Sequence, residues 1–141
     1  MANYESASTN LSKSAVRTYS DLNLDFGRHV VTNDISKIKG VDAVKRSVRN
    51  LVQTAFYERP FHPELGCGVR ELLFENYTPV TSMFISRKIE EVLSNYEPRA
   101  RIHQISVNEQ PDRNGIEATI FFYVENLPEP VSVTTVLQRV R

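Results

Sequence analysis

The sequence predicts an α+β domain in which two main helices pack on one face of a small antiparallel three-stranded sheet near the C-terminus. Apolar residues recur at helical spacing in two long segments, 41–57 and 79–96. From residue 101 onward they alternate with polar residues at a period of two. The three alternating segments follow one another with no helix between them, which predicts an antiparallel meander.

Composition and charge limit the function before any motif is considered. The 141 residues are enough for one domain with a hydrophobic core, and 17 basic residues balance 17 acidic ones. The only cysteine, Cys67, excludes an internal disulfide and a zinc site built on cysteines. No apolar run approaches the ~20 residues that span a bilayer, and the N-terminus lacks the apolar core of a signal peptide. We therefore expect neither nucleic acid nor membrane as a partner.

Residues 1–18 are polar and rich in Ser, Thr and Asn. They predict an N-terminal extension that is either flexible or ordered on assembly, and residues 19–141 then form a single domain. Leu22, Leu24 and Phe26 alternate with polar residues, which predicts a short strand that ends at Gly27.

The first long helix is predicted over residues 41–57, directly after Gly40. Its basic residues, Lys45, Arg46 and Arg49, lie away from the apolar stripe. A basic helical face can bind phosphate backbones, but this one is short and has no interleaved aromatic residues. A nucleic-acid-binding module is therefore a disfavoured interpretation, which predicts steeply salt-dependent binding through these three residues. The apolar stripe consists of Val41, Val44, Val48, Leu51, Val52, Ala55 and Phe56.

Two prolines and two glycines between residues 58 and 68 predict a shaped loop, followed by a short helix over residues 69–74. The second long helix begins after Thr78, a good N-cap, with Pro79 at its first position. Pro98 ends it. Its apolar face consists of Ile85, Ile89, Val92 and Tyr96; Val80, Met83, Phe84 and Leu93 widen this face and predict burial on more than one side.

The three strands are predicted over residues 101–109, 116–125 and 131–141. The segment 111–115, Pro-Asp-Arg-Asn-Gly, is a strong turn signal between the first two strands. The segment 127–130, Leu-Pro-Glu-Pro, separates the second strand from the last.

Residue patterns typical of enzymes and metal sites are missing from the sequence. His29, His62 and His103 are far apart, and no serine stands in a Gly-x-Ser-x-Gly turn. Cys67 is interpreted as a small buried residue. We therefore predict no catalytic residues, no metal site and no cofactor. The carboxylates that could serve a glycosidase, each with a simpler role as a helix charge, cap or ion-pair member, are Glu58, Glu64, Glu71, Glu75 and Glu97.

The exit of the second helix, Glu97-Pro98-Arg99, has two interpretations. It is either a helix stop with a local ion pair, or a rigid acid and guanidinium presented to a partner. In both cases Arg99 is expected to lower the pKa of Glu97, which suits an ion pair better than proton donation.

The last strand also has two interpretations. It either completes the sheet or keeps an open edge that accepts a strand from another chain. Residues 131–140 contain no proline and no acidic residue that would block such pairing.

Several short motifs occur in the order and spacing of a known family, over a match that runs from about Tyr19 to the C-terminus. On these motifs the sequence resembles the baseplate wedge proteins that initiate the tail sheath in contractile phages, a family similar to a component of type VI secretion baseplates. The motifs are Arg59-Pro60-Phe61, Pro63-Glu64, Gly66-Cys67, Leu73-Phe74-Glu75-Asn76, Thr78-Pro79 and Asn95-Tyr96-Glu97-Pro98-Arg99.

The resemblance implies a structural, non-enzymatic role in the virion, with assembly in the host bacterial cytoplasm. It implies that Glu97, Pro98 and Arg99 hold the helical core bundle of other wedge proteins. The C-terminal strands would pair with extensions of the tail sheath protein, and the subunit would stand near the hub or tail tube in a sixfold arrangement. Members are sometimes labelled lysozymes, so a peptidoglycan hydrolase is the alternative. The residues implied in sheath pairing are Val131, Val133, Thr135 and Leu137.

Overall fold

A computed structural model describes residues 19–110, 115–125 and 127–138. The predicted extension over residues 1–18 and most of the predicted turn at 111–115 lie outside these ranges. The elements, in chain order, are β1 (Ser20–Leu22), β2 (Lys37–Lys39), α1 (Val41–Gln53), α2 (Val69–Leu72), α3 (Pro79–Tyr96), β3 (Ala100–Gln110), β4 (Gly115–Val124) and β5 (Val131–Gln138).

The C-terminal sheet is the predicted antiparallel meander, with the order β3-β4-β5. Ile120 at its centre pairs with Ile105 on β3 and with Val133 on β5. Alternate residues of β4 are fully buried, among them Ile120 and Phe122, which are each 0% exposed. The α+β class and the three-stranded sheet are therefore confirmed. The core that joins this face to the helices includes Val44, Val48, Val52, Ile85, Ile89, Leu93, Ala118, Ile120, Phe122, Val133 and Leu137.

Helix α3 begins and ends as predicted. The side chain of Thr78 accepts a hydrogen bond from the N–H of Thr81 at 3.1 Å, and Pro79 follows the cap. Ile85 and Ile89 are fully buried. The prediction of burial on more than one side is right for Leu93 but wrong for the N-terminal half, where the side that carries Ile85 is buried and the side that carries Phe84 is exposed. The residues there that remain 55–63% exposed are Val80, Met83 and Phe84.

Helix α1 is shorter than predicted. It ends at Gln53, and Thr54 has an extended backbone. The carbonyl of Thr54 accepts the N–H of Cys67 at 2.9 Å, so the following chain is held by the far end of the loop and cannot continue the helix. Gly66 allows this contact, because a Cβ there would lie 2.6 Å from the carbonyl carbon of Ala55.

The strand predicted over residues 22–26 is in fact shorter and earlier, because it ends at Leu22 and residues 23–26 form a turn. The strand is β1, which pairs with β2 and places Asp21 opposite Ile38. Asn23 then starts a turn: its side chain accepts the N–H of Asp25 at 3.0 Å, and its carbonyl accepts the N–H of Phe26. An asparagine side chain that bonds its own backbone in this way competes with strand pairing.

Candidate partner-binding sites

Glu97 and Arg99 form a two-pronged ion pair at the exit of α3. Glu97 caps the helix, with its N–H bonded to the carbonyl of Leu93 at 2.9 Å. Arg99 donates from Nε to Oε1 of Glu97 at 2.5 Å and from Nη2 to Oε2 at 2.6 Å. Pro98 between them is exposed. The two charged side chains singled out in the sequence are thus brought together within one chain.

The carboxylate of Glu97 stays ionised although it is 2% exposed. Burial by itself raises the pKa of Glu97, but hydrogen bonds from Arg99 and Ser47, together with the charge of Arg99, outweigh it and hold the pKa below its usual value. The hydrogen bonds to Glu97 raise the pKa of Arg99 in turn. The expected lowering of the Glu97 pKa is confirmed, and proton donation by this group is disfavoured.

Arg99 also joins the helix exit to the N-terminal hairpin. Its Nη1 lies 3.3 Å from Oδ2 of Asp21 on β1, and its guanidinium carbon is 5.3 Å from the centre of the Tyr19 ring. The hydroxyl of Tyr19 donates to the carboxylate of Glu125 just after β4. Sequence reasoning missed Tyr19, Asp21 and Ser47, since they lie 50 or more positions away and no local pattern marks them.

Strand β5 is an edge of the sheet and pairs only with β4 within the described residues. Val133, Thr135 and Leu137 are buried and Val131 is half-buried, so these side chains face the core. What β5 can offer a partner along its outer edge is therefore backbone N–H and C=O groups. The opposite edge, on β3, is also without a strand in the described part, but a bulge between Ile102 and Gln104 interrupts its register.

The remaining candidate groups form no catalytic arrangement in the described ranges. Cys67 is 0% exposed, and burial raises its pKa to about 12, in agreement with its predicted role as a buried residue. His62 contacts the carboxylate of Glu64 at 3.2 Å, and both side chains are exposed. His103 lies edge-on to Tyr123 with ring centres 5.6 Å apart.

Among residues 19–110, 115–125 and 127–138, no group of three or more His, Cys, Asp or Glu side chains is placed to hold a metal ion. A search of the same residues found no helix with the length and apolar character needed to cross a membrane.

Comparison with known proteins identifies relatives in contractile tails. A family model described as baseplate wedge protein gp25 matches residues 39–126. The chain is 41% identical over 78 residues to the baseplate wedge protein gp25 of Enterobacteria phage T4. This match covers 55% of the chain and 58% of the T4 protein, so it spans less than two thirds of that relative. The matched family region includes Glu97 to Arg99 and ends before β5.

Three solved structures share the fold at less than 25% identity. A putative tail lysozyme from Geobacter sulfurreducens has a TM-score of 0.63 at 20% identity, over 70% of this chain and 91% of that one. A chain of the anti-feeding prophage baseplate has a TM-score of 0.61 at 23% identity, over 87% and 88%. A chain of the post-contraction pyocin R2 baseplate has a TM-score of 0.51 at 15% identity, over 81% and 98%.

Proposed function

This chain belongs to the gp25 family of baseplate wedge proteins, and on that premise we propose that it starts sheath assembly in a contractile phage tail. Strands of the tail sheath protein, from the first ring of the sheath, add to the free edge of β5. The observation that carries the proposal is that edge: eight residues of strand that have no partner on one side among residues 19–110, 115–125 and 127–138, and that contain no proline or acidic residue to block pairing.

The energetics favour a ring over a single copy. Adjacent residues of a strand direct their N–H groups to opposite edges, so about four of the eight residues of β5 face outward. Each backbone hydrogen bond to an added strand contributes about 0.5–1.5 kcal/mol net. This is modest for one subunit, but a sixfold ring makes attachment multivalent. One chain of the anti-feeding prophage baseplate has the same fold, and that baseplate was solved with 6-fold symmetry, which supports such a ring here.

We assign the contact with the core bundle of other wedge proteins to Glu97, Pro98 and Arg99. Because the Glu97 carboxylate is already bonded within the chain, a partner meets Pro98 and the free side of Arg99. A guanidinium has five N–H donors. Nε, one hydrogen of Nη2 and one of Nη1 bond Glu97 and Asp21. Counting only bonds within the part of the chain that the structure describes, one N–H on each terminal nitrogen is left for a partner carbonyl or carboxylate.

The remaining parts of the proposal concern the setting of the subunit. It stands near the hub or tail tube of the virion baseplate and is assembled in the host cytoplasm. Its role is non-enzymatic, with neither nucleic acid nor membrane as a partner. Its 17 basic and 17 acidic residues support the absence of a general attraction to either of these anionic partners.

Proline substitution in β5 tests strand addition. Val133→Pro and Thr134→Pro remove adjacent N–H groups, of which one faces β4 and the other faces outward. If one proline variant keeps the circular dichroism spectrum and the urea midpoint of the native chain, its pairing with β4 is intact. The N–H that it has lost is then the one that faces outward from the sheet. We expect that variant to reduce sheath assembly on purified baseplates, with Thr134→Val as the control that keeps the N–H. Normal assembly on baseplates that contain the folded proline variant would refute strand addition at β5.

A second test concerns Arg99. We measure the occupancy of this subunit in wedges at a temperature where Arg99→Ala is fully folded. Under that condition a loss of folding stability alone would not lower the occupancy, and we expect Arg99→Ala to lower it. Arg87→Ala, at an exposed position on α3, is the control. If occupancy falls only in proportion to the folded fraction, Arg99 serves the fold of this chain and not the core bundle.

The alternative is a peptidoglycan hydrolase, which the name of the Geobacter structure suggests. A general acid in such an enzyme needs a raised pKa. The pKa of Glu97 is lowered, and that of Glu64 is lowered by a backbone hydrogen bond and by His62. Cell-wall lysis by the purified protein, lost on Glu64→Gln or Glu97→Gln, would establish the hydrolase and overturn the non-enzymatic role.

A further inference from the structure

Three adjoining depressions lie beside α1. The first, of about 460 Å³, extends from Asp21 to Arg59. The second, of about 390 Å³, shares Arg59 and extends to Arg70. The third, of about 460 Å³, shares Arg70 and reaches Phe74 and Gln138 at the end of β5. Because each depression shares lining residues with the next, the three adjoin one another, and together they are here called the α1 trough.

The floor of the α1 trough is one side of the helix. Residues spaced three, four and seven apart lie on the same side, so a row of lining side chains follows the helix axis. From residue 43 to residue 54 the row covers about 16 Å, the length of about five residues of extended chain. These lining residues are Ala43, Arg46, Ser47, Asn50, Gln53 and Thr54.

The middle of the trough has an excess of positive charge. Arg46 is paired with Asp25 at 2.5 Å, but Arg59 and Arg70 are exposed and have no ion-pair partner within the described residues. The carboxylate that lines this part is Glu58, and one of its oxygens already accepts the N–H of Ala55 at 2.8 Å. Two guanidiniums therefore face one carboxylate, and a matching partner has to supply negative charge.

Apolar side chains line the trough beside these charges. Leu24, which is 49% exposed, lies at the junction of the first two depressions. Leu22 at one end is 59% exposed, and Phe74 at the other end is 70% exposed. Large exposed apolar side chains grouped with unpaired arginines are typical of protein interfaces. The occupant therefore needs both apolar groups and carboxylates.

We propose that the α1 trough binds an extended segment of another baseplate protein in which acidic and apolar side chains alternate. Arginine recognises carboxylates in a fixed planar geometry, which assigns the acidic residues of that segment to Arg59 and Arg70. The inference goes beyond the proposed function, since it requires no strand addition to β5. The trough is continuous with both proposed contacts, because it begins at Asp21, which bonds Arg99, and ends at Gln138 on β5.

Site-specific photocrosslinking in assembled baseplates tests the occupant. A benzoylphenylalanine in place of Leu24, which lines the first two depressions, keeps both arginines and is expected to crosslink to an Asp- or Glu-rich segment of a different baseplate protein, identified by mass spectrometry. The same residue at Glu90, exposed on α3, is the matched control. Crosslinks to a basic segment, to a second copy of this chain, or equally from both positions would overturn the proposal, as would none from position 24.

Charge reversal gives an independent measurement. Arg59 and Arg70 are exposed, so Arg59→Glu with Arg70→Glu leaves the core intact, and we expect at least a tenfold loss of incorporation into baseplates. Arg59→Lys with Arg70→Lys retains most of it, and Arg87→Glu on α3 is the control. Unchanged incorporation of the charge-reversed variant would refute the proposal that the α1 trough binds an acidic segment. The two proposals fail separately, because trough variants lower incorporation of this chain, whereas proline in β5 lowers sheath assembly on baseplates that already contain it.

Discussion

Removal of Arg99 should destabilise the fold because it leaves a buried carboxylate without its counterion. Glu97 is 2% exposed in the native chain, and in Arg99→Ala its remaining side-chain hydrogen-bond partner would be Ser47. Removal of one partner of a buried ion pair costs about 3–5 kcal/mol. The side chain of Arg99 is itself 23% exposed, so water can enter the vacated space and the cost falls at the low end. We expect the free energy of unfolding to drop by about 3 kcal/mol.

Urea denaturation followed by far-ultraviolet circular dichroism measures this loss. Arg87→Ala is the control. Arg87 is exposed on α3 and has no ion-pair partner among the described residues, so its removal should change the free energy of unfolding by less than about 0.5 kcal/mol. Glu97→Gln combined with Arg99→Ala should be more stable than the sum of the single losses predicts, because the uncompensated charge is gone. A loss below about 1 kcal/mol for Arg99→Ala would refute the argument from burial.

The same pair makes stability depend on pH in a defined direction. The pKa of Glu97 is lowered in the folded state from the unfolded value of 4.5. Its contribution is therefore fully present above about pH 4.5 and is lost as the pH falls through the folded pKa. In Arg99→Ala the pKa of Glu97 should rise, because burial acts without the opposing charge of Arg99. The stability difference between the native chain and Arg99→Ala should therefore be largest near pH 8 and should shrink as the pH falls through the raised pKa of the variant and then the lowered pKa of the native chain. A difference that grows in acid would contradict the assignment.

Two further predictions concern the loop after α1. Gly66→Ala places a Cβ 2.6 Å from the backbone of Ala55 and should lower the free energy of unfolding by about 1–3 kcal/mol. Gly27→Ala is the control and should lower it far less, because the nearest atom to its Cβ is 3.5 Å away; equal urea midpoints of the two variants would contradict the prediction. Cys67 is buried with its pKa raised to about 12, so Ellman's reagent at pH 8 should react with it only after unfolding in guanidinium; rapid reaction of the folded protein would be the opposite result.

The parts of the fold that the sequence predicts well are those with local causes. Thr78 and Pro79 start α3, and Pro98 stops it, because a cap and a proline act within one turn of the chain. The strands around Ile120 follow from a period of two, and turn residues separate them. The ion pair at the helix exit is one of the two interpretations that the sequence allows, for the same reason, since Glu97 and Arg99 are two positions apart.

The errors come from contacts between distant segments. The apolar stripe of α1 continues past Gln53, but the hydrogen bond from Cys67 to Thr54 ends the helix. The exposure of Phe84 on α3 depends on which sides of the helix have neighbours, and the periodicity of a single helix does not contain that information. Asp21 could not be assigned to the Glu97 site, because it lies 78 positions from Arg99.

The network around Glu97 connects the proposed contact surfaces physically. Ser47 bonds the buried carboxylate and also lines the α1 trough, while Asp21 bonds Arg99 and lines the same trough. A segment seated there would contact two of the groups that hold the ion pair. On the two proposals above, such a segment would hold Arg99 more firmly at the contact assigned to the core bundle. Binding of one baseplate partner would then favour binding of the other without a change of fold, because each contact would order side chains that the next one uses.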